Sequence, residues 1–172
     1  SIIIPTWNRG ELLVETVGSC LRQVGVGLDV IVVDDGSTDH SIEKVKNTFK
    51  EVRVFEQSHR GACVARNLGM GEAKGAYIKF LDSDDLLAEN SLREQVDALE
   101  ASGSDLVYGD FEMVGDLEDS RVAGKPTRIT GDVDDLLVAL LGDWWCAPFC
   151  YLYRRKAVRE IRWREDLECL QD

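Results

Sequence analysis

Short apolar segments rich in β-branched residues alternate with amphipathic segments along the first 108 residues of the chain. The apolar segments span residues 1–4, 29–33, 52–56, 76–81 and 105–108. Between them, apolar side chains recur every three or four positions, as on one face of a helix, in residues 11–24, 41–49, 61–73 and 86–101. Pro5 is expected to end the first strand because proline has no N–H for the ladder. This alternation predicts one α/β domain, a mostly parallel sheet with helices on both faces.

The chain beyond residue 110 is less regular. Residues 111–131 are polar and charged, which is typical of a long loop or an irregular hairpin. Short helices are predicted at 133–141 and 155–161, with a short strand at 151–153 between them. Because the sequence starts inside one predicted strand and stops inside a repeating pattern, we expect it to be part of a longer protein.

Acidic residues dominate the charge of the chain. Thirty-two Asp and Glu oppose 20 Lys and Arg, which gives a formal net charge of −12. This charge repels nucleic acid and anionic membranes, so we expect no nucleic-acid partner. The basic cluster Arg154-Arg155-Lys156 is interpreted as the solvated first turn of a helix.

Neither a signal peptide nor an apolar run of about 20 residues, the length that spans a bilayer, is visible in the sequence. The five cysteines are scattered and lack the C-x-x-C spacing of zinc or redox sites. They are Cys20, Cys63, Cys146, Cys150 and Cys169. Buried, reduced thiols fit a cytoplasmic location. Any association with the inner face of a membrane is expected to depend on parts of the protein outside this chain.

Two of the predicted strands end in clusters of carboxylates. V-I-V-V-D-D-G-S-T-D occupies residues 30–39, and Y-I-K-F-L-D-S-D-D occupies residues 77–85. The carboxyl ends of parallel strands meet at one edge of the sheet, where open α/β folds bind ligands. The two clusters therefore predict a nucleotide and metal site at that edge.

Asp34 and Asp35 leave the second strand together, and adjacent strand residues point to opposite faces. We expect one of them to serve the structure. The other is expected to face a ligand and to accept a hydrogen bond from a base N–H or a ribose hydroxyl. Asp39 is interpreted as a cap of the helix that follows.

Asp82, Asp84 and Asp85 lie within four positions, and repulsion between carboxylates is costly unless a cation or protons neutralise them. Carboxylate oxygens that leave room for water and phosphate suit Mg²⁺ or Mn²⁺. Asp82 and Asp84 are spaced to converge on one diphosphate-bound metal. The alternative is a helix N-terminus with Asp85 in its first turn.

Cationic residues reach the same edge with the third predicted helix. Arg66 is expected either to face a nucleotide or to be a solvated helix residue, and His59 and His40 are interpreted as surface residues. The sequence lacks a G-x-x-x-x-G-K-[ST] loop, a G-x-G-x-x-G after the first strand and a G-x-S-x-G elbow. The chemistry is therefore expected to be metal-assisted rather than covalent.

Four segments, in this order and spacing, resemble the family 2 glycosyltransferases of GT-A fold. They are S-I-I-I-P-T-W-N-R, V-V-D-D-G-S-T-D, G-A-C-V-A-R-N-L-G and F-L-D-S-D-D-L-L, and the resemblance covers essentially the whole chain. It implies a Rossmann-like sheet. It also implies an inverting enzyme that moves a sugar from a nucleoside diphosphate donor, UDP in the first instance, to an acceptor hydroxyl.

The resemblance assigns roles to particular residues. The nucleoside pocket is lined by Pro5, Thr6, Trp7 and Asn8. Asp35 holds the uracil, and Arg66 contacts base or phosphate. The D-S-D sequence corresponds to the family's D-x-D motif, with Asp82 and Ser83 on the nucleotide and Asp84 on Mn²⁺ or Mg²⁺.

The end of the chain resembles the segment that carries the family's general base. W-R-E-D-L-E-C-L-Q-D, residues 163–172, places Asp172 in that role, with Asp166 or Glu165 as the alternatives. By the same resemblance, Trp144 and Trp145 lie near the acceptor side.

The resemblance divides residues 1–172 into a nucleotide-sugar-binding half, 1–110, and an acceptor-side half, 111–172, of a GT-A domain that is truncated at its C-terminus. The acceptor is expected to be a sugar or a lipid-linked or protein-linked group in glycan, polysaccharide or glycolipid synthesis. Two alternatives remain. One is a module that binds nucleotide sugar or glycan without turnover, and the other is a nucleotidyltransferase that releases pyrophosphate.

Overall fold

A computed structural model describes residues 1–112, 126–127 and 147–166 of the chain. The strands are β1 Ile2–Thr6, β2 Val30–Asp34, β3 Arg53–Glu56, β4 Tyr77–Phe80, β5 Leu106–Tyr108, β6 Phe111–Glu112, β7 Pro126–Thr127 and β8 Tyr151–Arg154. The helices are α1 Gly10–Leu21, α2 Ser41–Thr48, α3 Ala62–Glu72, α4 Ser91–Ser102 and α5 Arg155–Val158, and a 3-10 helix spans Pro148–Cys150. None of the helices in these described ranges is long and apolar enough to cross a membrane.

Six strands form one mostly parallel sheet in the order β3-β2-β1-β4-β8-β5. The pairs β1–β2, β2–β3 and β1–β4 are parallel, as the strand–helix alternation predicts. The strand β8 is antiparallel to both of its neighbours, β4 and β5. The predicted α/β class and mostly parallel sheet are therefore confirmed, and one late strand separates β4 from β5.

Several element boundaries differ from the prediction. The strand β1 continues through Pro5 to Thr6, because the hydrogen-bonded pairing with β4 stops at Ile3 and the missing N–H interrupts no ladder. The helix α4 begins at Ser91 rather than at 86. Residues 86–90 are held in a non-helical loop because the N–H of Leu87 and the carbonyl of Ala88 bond to side chains of α1 and its C-terminal turn.

The chain after β5 follows the prediction in part. The strands β6 and β7 pair antiparallel, as expected of an irregular hairpin, and β8 covers the strand predicted at 151–153. The helix α5 is four residues long, shorter than the predicted 155–161, and a turn closed by the bond from the N–H of Ile161 to the carbonyl of Val158 follows it. The helix predicted at 133–141 lies outside the described residues.

Two apolar clusters cover the two faces of the sheet. Alternate residues of β1 enter different clusters: Ile2 and Ile4 pack with α1, α2 and α4, whereas Ile3 packs with α3. Burial of each such aliphatic side chain contributes roughly 1.5–3 kcal/mol to the free energy of unfolding. The sheet is therefore covered on both faces.

The helix α3 lies unusually close to the sheet. A Cβ built on Gly69 would come within 2.4 Å of Ile3 Cγ2 and 3.3 Å of Val33 Cγ2. Only a glycine permits this approach, and it brings the first turns of α3 to the edge where the strands end.

Candidate functional site

The predicted site residues lie at the carboxyl ends of three neighbouring strands, β2, β1 and β4. The loop after β1 carries Trp7 and Asn8, the loop after β2 begins with Asp35, and the loop after β4 carries Asp82 and Asp84. The first turns of α3 lie beside them. The prediction that the two acidic clusters meet at one edge of the sheet is therefore confirmed, and the roles of these residues stay predictions.

The loop after β1 is fixed by the loop after β2. The backbone N–H of Asn8 donates to Ser37 Oγ at 2.9 Å, and Asn8 Oδ1 accepts from the N–H of Thr38 at 2.8 Å. These bonds hold Asn8 in a left-handed conformation, φ 51°. They leave Trp7 half exposed beside the edge, while Thr6 is buried and its Oγ1 has no partner within the described residues.

Asp34 and Asp39 both serve the structure. Asp34 accepts the N–H of Ser37 at 3.2 Å within its own loop. Asp39 accepts the N–H of Gly10 at 2.8 Å and that of Ser41 at 3.1 Å, so one carboxylate holds the first residue of both α1 and α2. The capping role predicted for Asp39 is confirmed.

Asp35 is buried and holds the loop between β3 and α3. Its Oδ1 accepts from Gln57 Nε2 at 2.8 Å and from the backbone N–H of Arg60 at 2.7 Å. Its Oδ2 accepts from the backbone N–H of Gly61 at 2.9 Å, and His59 Nδ1 lies 3.0 Å away. All acceptor directions of this carboxylate are therefore used within the chain.

His59 is exposed, which confirms its interpretation as a surface residue, but it also contacts two of the predicted site residues. Its ring lies against the indole of Trp7, with centroids 4.5 Å apart and planes tilted by 35°. Nδ1 of His59 lies 3.1 Å from the main-chain carbonyl oxygen of Asp35 and 3.0 Å from its Oδ2, and since both oxygens only accept hydrogen bonds, Nδ1 is the donor. His40, in contrast, is exposed and pairs only with Glu43, among the contacts that the described residues make.

Arg66 is buried, so the solvated alternative for this residue was wrong. The guanidinium is 9% exposed, and its Nη2 donates to Asp82 Oδ1 at 2.6 Å. The carbon Cζ lies 4.7 Å from the centroid of the Trp163 ring. Its Nε has no partner within the described residues. This Nε atom is itself buried, and a buried cation of this kind is suited to an anionic partner.

The three carboxylates after β4 differ in environment. Asp82 binds Arg66, and Asp84 lies 3.5 Å from Arg9 Nη2 with 42% of its side chain exposed. Burial, with the charges of Asp82 and Asp84, raises the pKa of Asp85 to about 6. The alternative interpretation, in which Asp85 lies in the first turn of a helix, was wrong because α4 begins only at Ser91. Ser83 is buried between the two acids.

Only part of this acidic cluster is arranged to bind a metal ion. Over the residues that the structure describes, no group of three or more His, Cys, Asp or Glu is placed to hold an ion. The mutual repulsion that raises the pKa of Asp85 would be relieved by a divalent cation. Asp84, exposed and adjacent, is the carboxylate that fits as a single protein ligand for an ion that keeps water and phosphate oxygens.

The segment after α5 folds back onto α3. The side chain of Asn67 donates to the carbonyl of Trp163 and accepts its N–H, both at 2.9 Å. The same amide nitrogen donates to Glu165 Oε1 at 2.9 Å, and Arg60 lies 3.7 Å from the other oxygen of Glu165. Sequence analysis missed this function of Asn67, although it stands in the motif that contains Arg66.

The alternative base candidates are therefore already engaged. Glu165 binds Asn67 and Arg60, and Asp166 forms an exposed ion pair with Arg164 that lowers the pKa of Asp166. Asp172, the first candidate, lies outside the described residues, as do Trp144 and Trp145.

The other predictions about polar side chains have clear outcomes. Arg155 and Lys156 begin α5, as predicted, whereas Arg154 is mostly buried and bonds to Glu100 and the carbonyls of Leu99 and Ser104. Cys20 and Cys150 are buried, and Cys63 is partly exposed. Burial raises the pKa of Cys20 to about 12, which keeps this thiol protonated.

Residues 1–162 match the family model described as glycosyl transferase family 2. The chain belongs to this family. An uncharacterized glycosyltransferase of Haemophilus influenzae is 37% identical over 184 residues, covering 100% of this chain and 72% of that protein. The Escherichia coli UDP-Glc:alpha-D-GlcNAc-diphosphoundecaprenol beta-1,3-glucosyltransferase WfgD is 31% identical over 136 residues, covering 76% of this chain and 52% of that protein.

Solved structures share the fold. Staphylococcus aureus TarS superposes with a TM-score of 0.81 at 22% identity, over 99% of this chain and 31% of that chain. Its 1–349 form in complex with UDP-GlcNAc gives a TM-score of 0.71, over 92% of this chain and 46% of that chain, also at 22% identity. The Pyrobaculum calidifontis mannosyltransferase PcManGT, solved with GDP-Man and Mn²⁺, superposes with a TM-score of 0.63 at 21% identity, over 96% of this chain and 47% of that chain.

Proposed function

We propose that this family 2 domain is a metal-dependent inverting glycosyltransferase, which moves a sugar from a UDP-linked donor to an acceptor hydroxyl. The observation that carries the proposal is the buried guanidinium of Arg66, which is paired with Asp82 among the acids after β4. This cation, the exposed carboxylate of Asp84 and the half-exposed indole of Trp7 in the loop after β1 together suit a ligand with an aromatic base, a diphosphate and a metal ion.

Each part of the donor would meet a separate group of residues. The base would stack on Trp7 near Asp35, with Pro5, Thr6 and Asn8 shaping the pocket. Arg66, Asp82 and Ser83 would bind the remainder of the nucleotide.

Asp84 would hold Mn²⁺ or Mg²⁺. The ion would supply Lewis-acid neutralisation of the departing diphosphate. Asp172 would take the proton of the acceptor hydroxyl as the general base, while residues 1–110 bind donor and 111–172 bind acceptor.

The relatives support the choice of UDP and of a glycan-synthesis acceptor. The name of WfgD specifies UDP-Glc as donor and a diphosphoundecaprenol-linked sugar as acceptor, and one TarS structure holds UDP-GlcNAc. PcManGT was solved with Mn²⁺. For this chain we infer the same chemical class: a UDP-sugar donor and a sugar or lipid-linked acceptor in cell-surface glycan synthesis.

The first experiment is thermal unfolding with and without UDP, each with and without Mn²⁺. A ligand at about 100 times its dissociation constant adds roughly 2.7 kcal/mol to the free energy of unfolding. For a domain of this size the midpoint should rise by about 5–10 °C, and only when both are present. No rise with UDP, GDP or TDP would contradict the donor site.

A transfer assay then separates the enzyme from its alternatives. UDP release from UDP-glucose or UDP-GlcNAc in the presence of an acceptor supports the transferase. A thermal shift without UDP release, from the full-length protein, would instead identify a binding module. Release of pyrophosphate from a nucleoside triphosphate would identify a nucleotidyltransferase.

A further inference from the structure

We propose that Trp163 is a positioning residue of the donor site, which fixes the guanidinium of Arg66 against Asp82. The proposal rests on the proposed function, because it assigns Arg66 to the nucleotide. It adds a residue from the far end of the chain to a site otherwise built from the first 84 residues.

The guanidinium of Arg66 is fixed by two contacts of different kinds. Asp82 accepts from Nη2 at 2.6 Å, which holds one end of the planar group. Trp163 covers the group with its ring, at 4.7 Å from Cζ to the ring centroid. A desolvated cation is attracted to an indole face and is costly to bury without such partners. Loss of the indole would therefore let the guanidinium tilt away from Asp82 toward solvent.

Trp163 is itself held from two sides. Asn67 makes a reciprocal pair of 2.9 Å hydrogen bonds with its backbone N–H and carbonyl, as a neighbouring strand would. The ring of Phe80, the last residue of β4, lies edge-on to the indole with centroids 5.2 Å apart and planes at 84°. Because Phe80 and Asn67 belong to rigid elements, the indole has one orientation available over Arg66.

The arrangement explains why Asn67 follows Arg66 directly. Adjacent residues on α3 point in different directions, so Arg66 reaches Asp82 while Asn67 binds the segment that brings Trp163 back over Arg66. Asn67 Nδ2 also donates to Glu165 Oε1, which is a third hydrogen bond between Asn67 and the segment that carries Trp163. The two positions thus act as one unit.

The test is a double-mutant cycle on UDP affinity, measured by calorimetry with Mn²⁺ present. Trp163→Leu keeps an apolar side chain but removes the π face, and we expect it to weaken UDP binding about threefold to thirtyfold. Arg66→Met removes the cation. In the Arg66→Met background, Trp163→Leu should change UDP affinity by less than about twofold, because Trp163 acts only through Arg66.

Two further variants separate positioning from stability. Trp163→Phe, which retains an aromatic face, should keep UDP affinity within about threefold of the wild type and tests the proposal should Trp163→Leu fail to fold. Tyr77→Leu is the matched control, since Tyr77 makes the same kind of contact with Arg154, 5.8 Å from Cζ to the ring centroid, at the opposite end of β4. It should lower the unfolding midpoint without affecting UDP affinity.

The outcomes distinguish this proposal from the function on which it rests. If the wild type and Trp163→Leu bind UDP equally well, the positioning role is overturned and the donor site stands. The same conclusion follows if Trp163→Leu lowers UDP affinity by the same factor in the Arg66→Met background as in the wild type. If Trp163→Phe loses as much UDP affinity as Arg66→Met, the positioning role is likewise overturned. If the wild type binds no UDP with Mn²⁺, the donor assignment and the positioning role are both overturned.

Discussion

The imidazole of His59 lies against the indole of Trp7, with ring centroids 4.5 Å apart, and directs Nδ1 toward the carboxylate of Asp35. A pyrimidine that stacked on Trp7 and donated a ring N–H to Asp35 would make the same two contacts. Because His59 is 60% exposed, it can turn into solvent when a base takes its place. We therefore expect His59 to compete with the proposed nucleobase.

His59→Ala should consequently tighten UDP binding, by about tenfold at most, since a contact of this kind contributes on the order of 1 kcal/mol. Fluorescence titration of the tryptophans with UDP measures the effect. His40→Ala, which removes a histidine that is 75% exposed and pairs only with Glu43 among the described contacts, should leave affinity unchanged. Weaker binding by His59→Ala would mean that His59 is a wall of the base pocket instead.

The roles proposed for two acids predict different losses. Asp84→Ala should abolish the part of the UDP-induced thermal shift that needs Mn²⁺, because it removes the protein ligand of the ion. Asp97→Ala is its control: Asp97 is an exposed acid paired with Arg93 on α4, as Asp84 is paired with Arg9. Asp97→Ala should keep the full shift, and a metal-dependent shift retained by Asp84→Ala would remove Asp84 from the scheme.

Asp172→Asn should keep the thermal shift with UDP and Mn²⁺ but lower the rate of sugar transfer. A general base contributes roughly 10²–10⁴ in rate, so transfer by the variant should fall by about that factor. The rate is measured as UDP release in the full-length protein. Transfer at the wild-type rate would show that another group takes the acceptor proton.

Two glycines of α3 predict opposite effects on stability. Gly69→Ala would force a methyl group to within 2.4 Å of Ile3 Cγ2, so we expect the free energy of unfolding to fall by about 2 kcal/mol. Gly71→Ala meets nothing within 4 Å and should raise it by about 0.5 kcal/mol through helix propensity. Urea unfolding of both variants measures the difference. Equal effects would mean that α3 can move away from the sheet.

The carboxylate of Asp29 predicts a pH-dependent stability. Burial alone raises its pKa, but bonds from Ser1 Oγ, the N–H of Lys74 and Arg53 Nη1 outweigh that effect and hold the pKa below its usual value. The stabilisation is present above the unfolded pKa of about 3.9 and is lost as the pH falls through the lowered native pKa.

Asp29→Asn should therefore lower the free energy of unfolding by about 1–3 kcal/mol at pH 7, and the deficit should shrink below about pH 4. Urea unfolding at pH 7, 5 and 3 gives the comparison. Asp166→Asn is the control, because its carboxylate is an exposed partner of Arg164, and such pairs contribute little. A deficit for Asp29→Asn that is the same at pH 3 and pH 7 would contradict the assignment.

The sequence predicted the edge at which the site lies, but it did not predict which side chains are engaged there. Asp35, Arg66, Asp82 and Asp84 stand at strand ends or on α3, so local patterns located them. The position of His59 against Trp7 was not predicted, because a histidine in a loop gives no periodic signal. Its role depends on the approach of Trp7 from another loop, and that approach depends on the bonds between Asn8 and the loop after β2.

The sequence by itself determined the strand–helix alternation, the open edge and the acids delivered to it. Buried strands require continuous apolar runs, and carboxylates can follow such runs only where the strands reach solvent. Only the tertiary structure decided that β8 enters the sheet between β4 and β5. It also decided that the side chain of Asn67 forms hydrogen bonds with the backbone of Trp163, 96 positions later in the sequence. Contacts over such separations depend on how whole elements pack, and no local spacing encodes them.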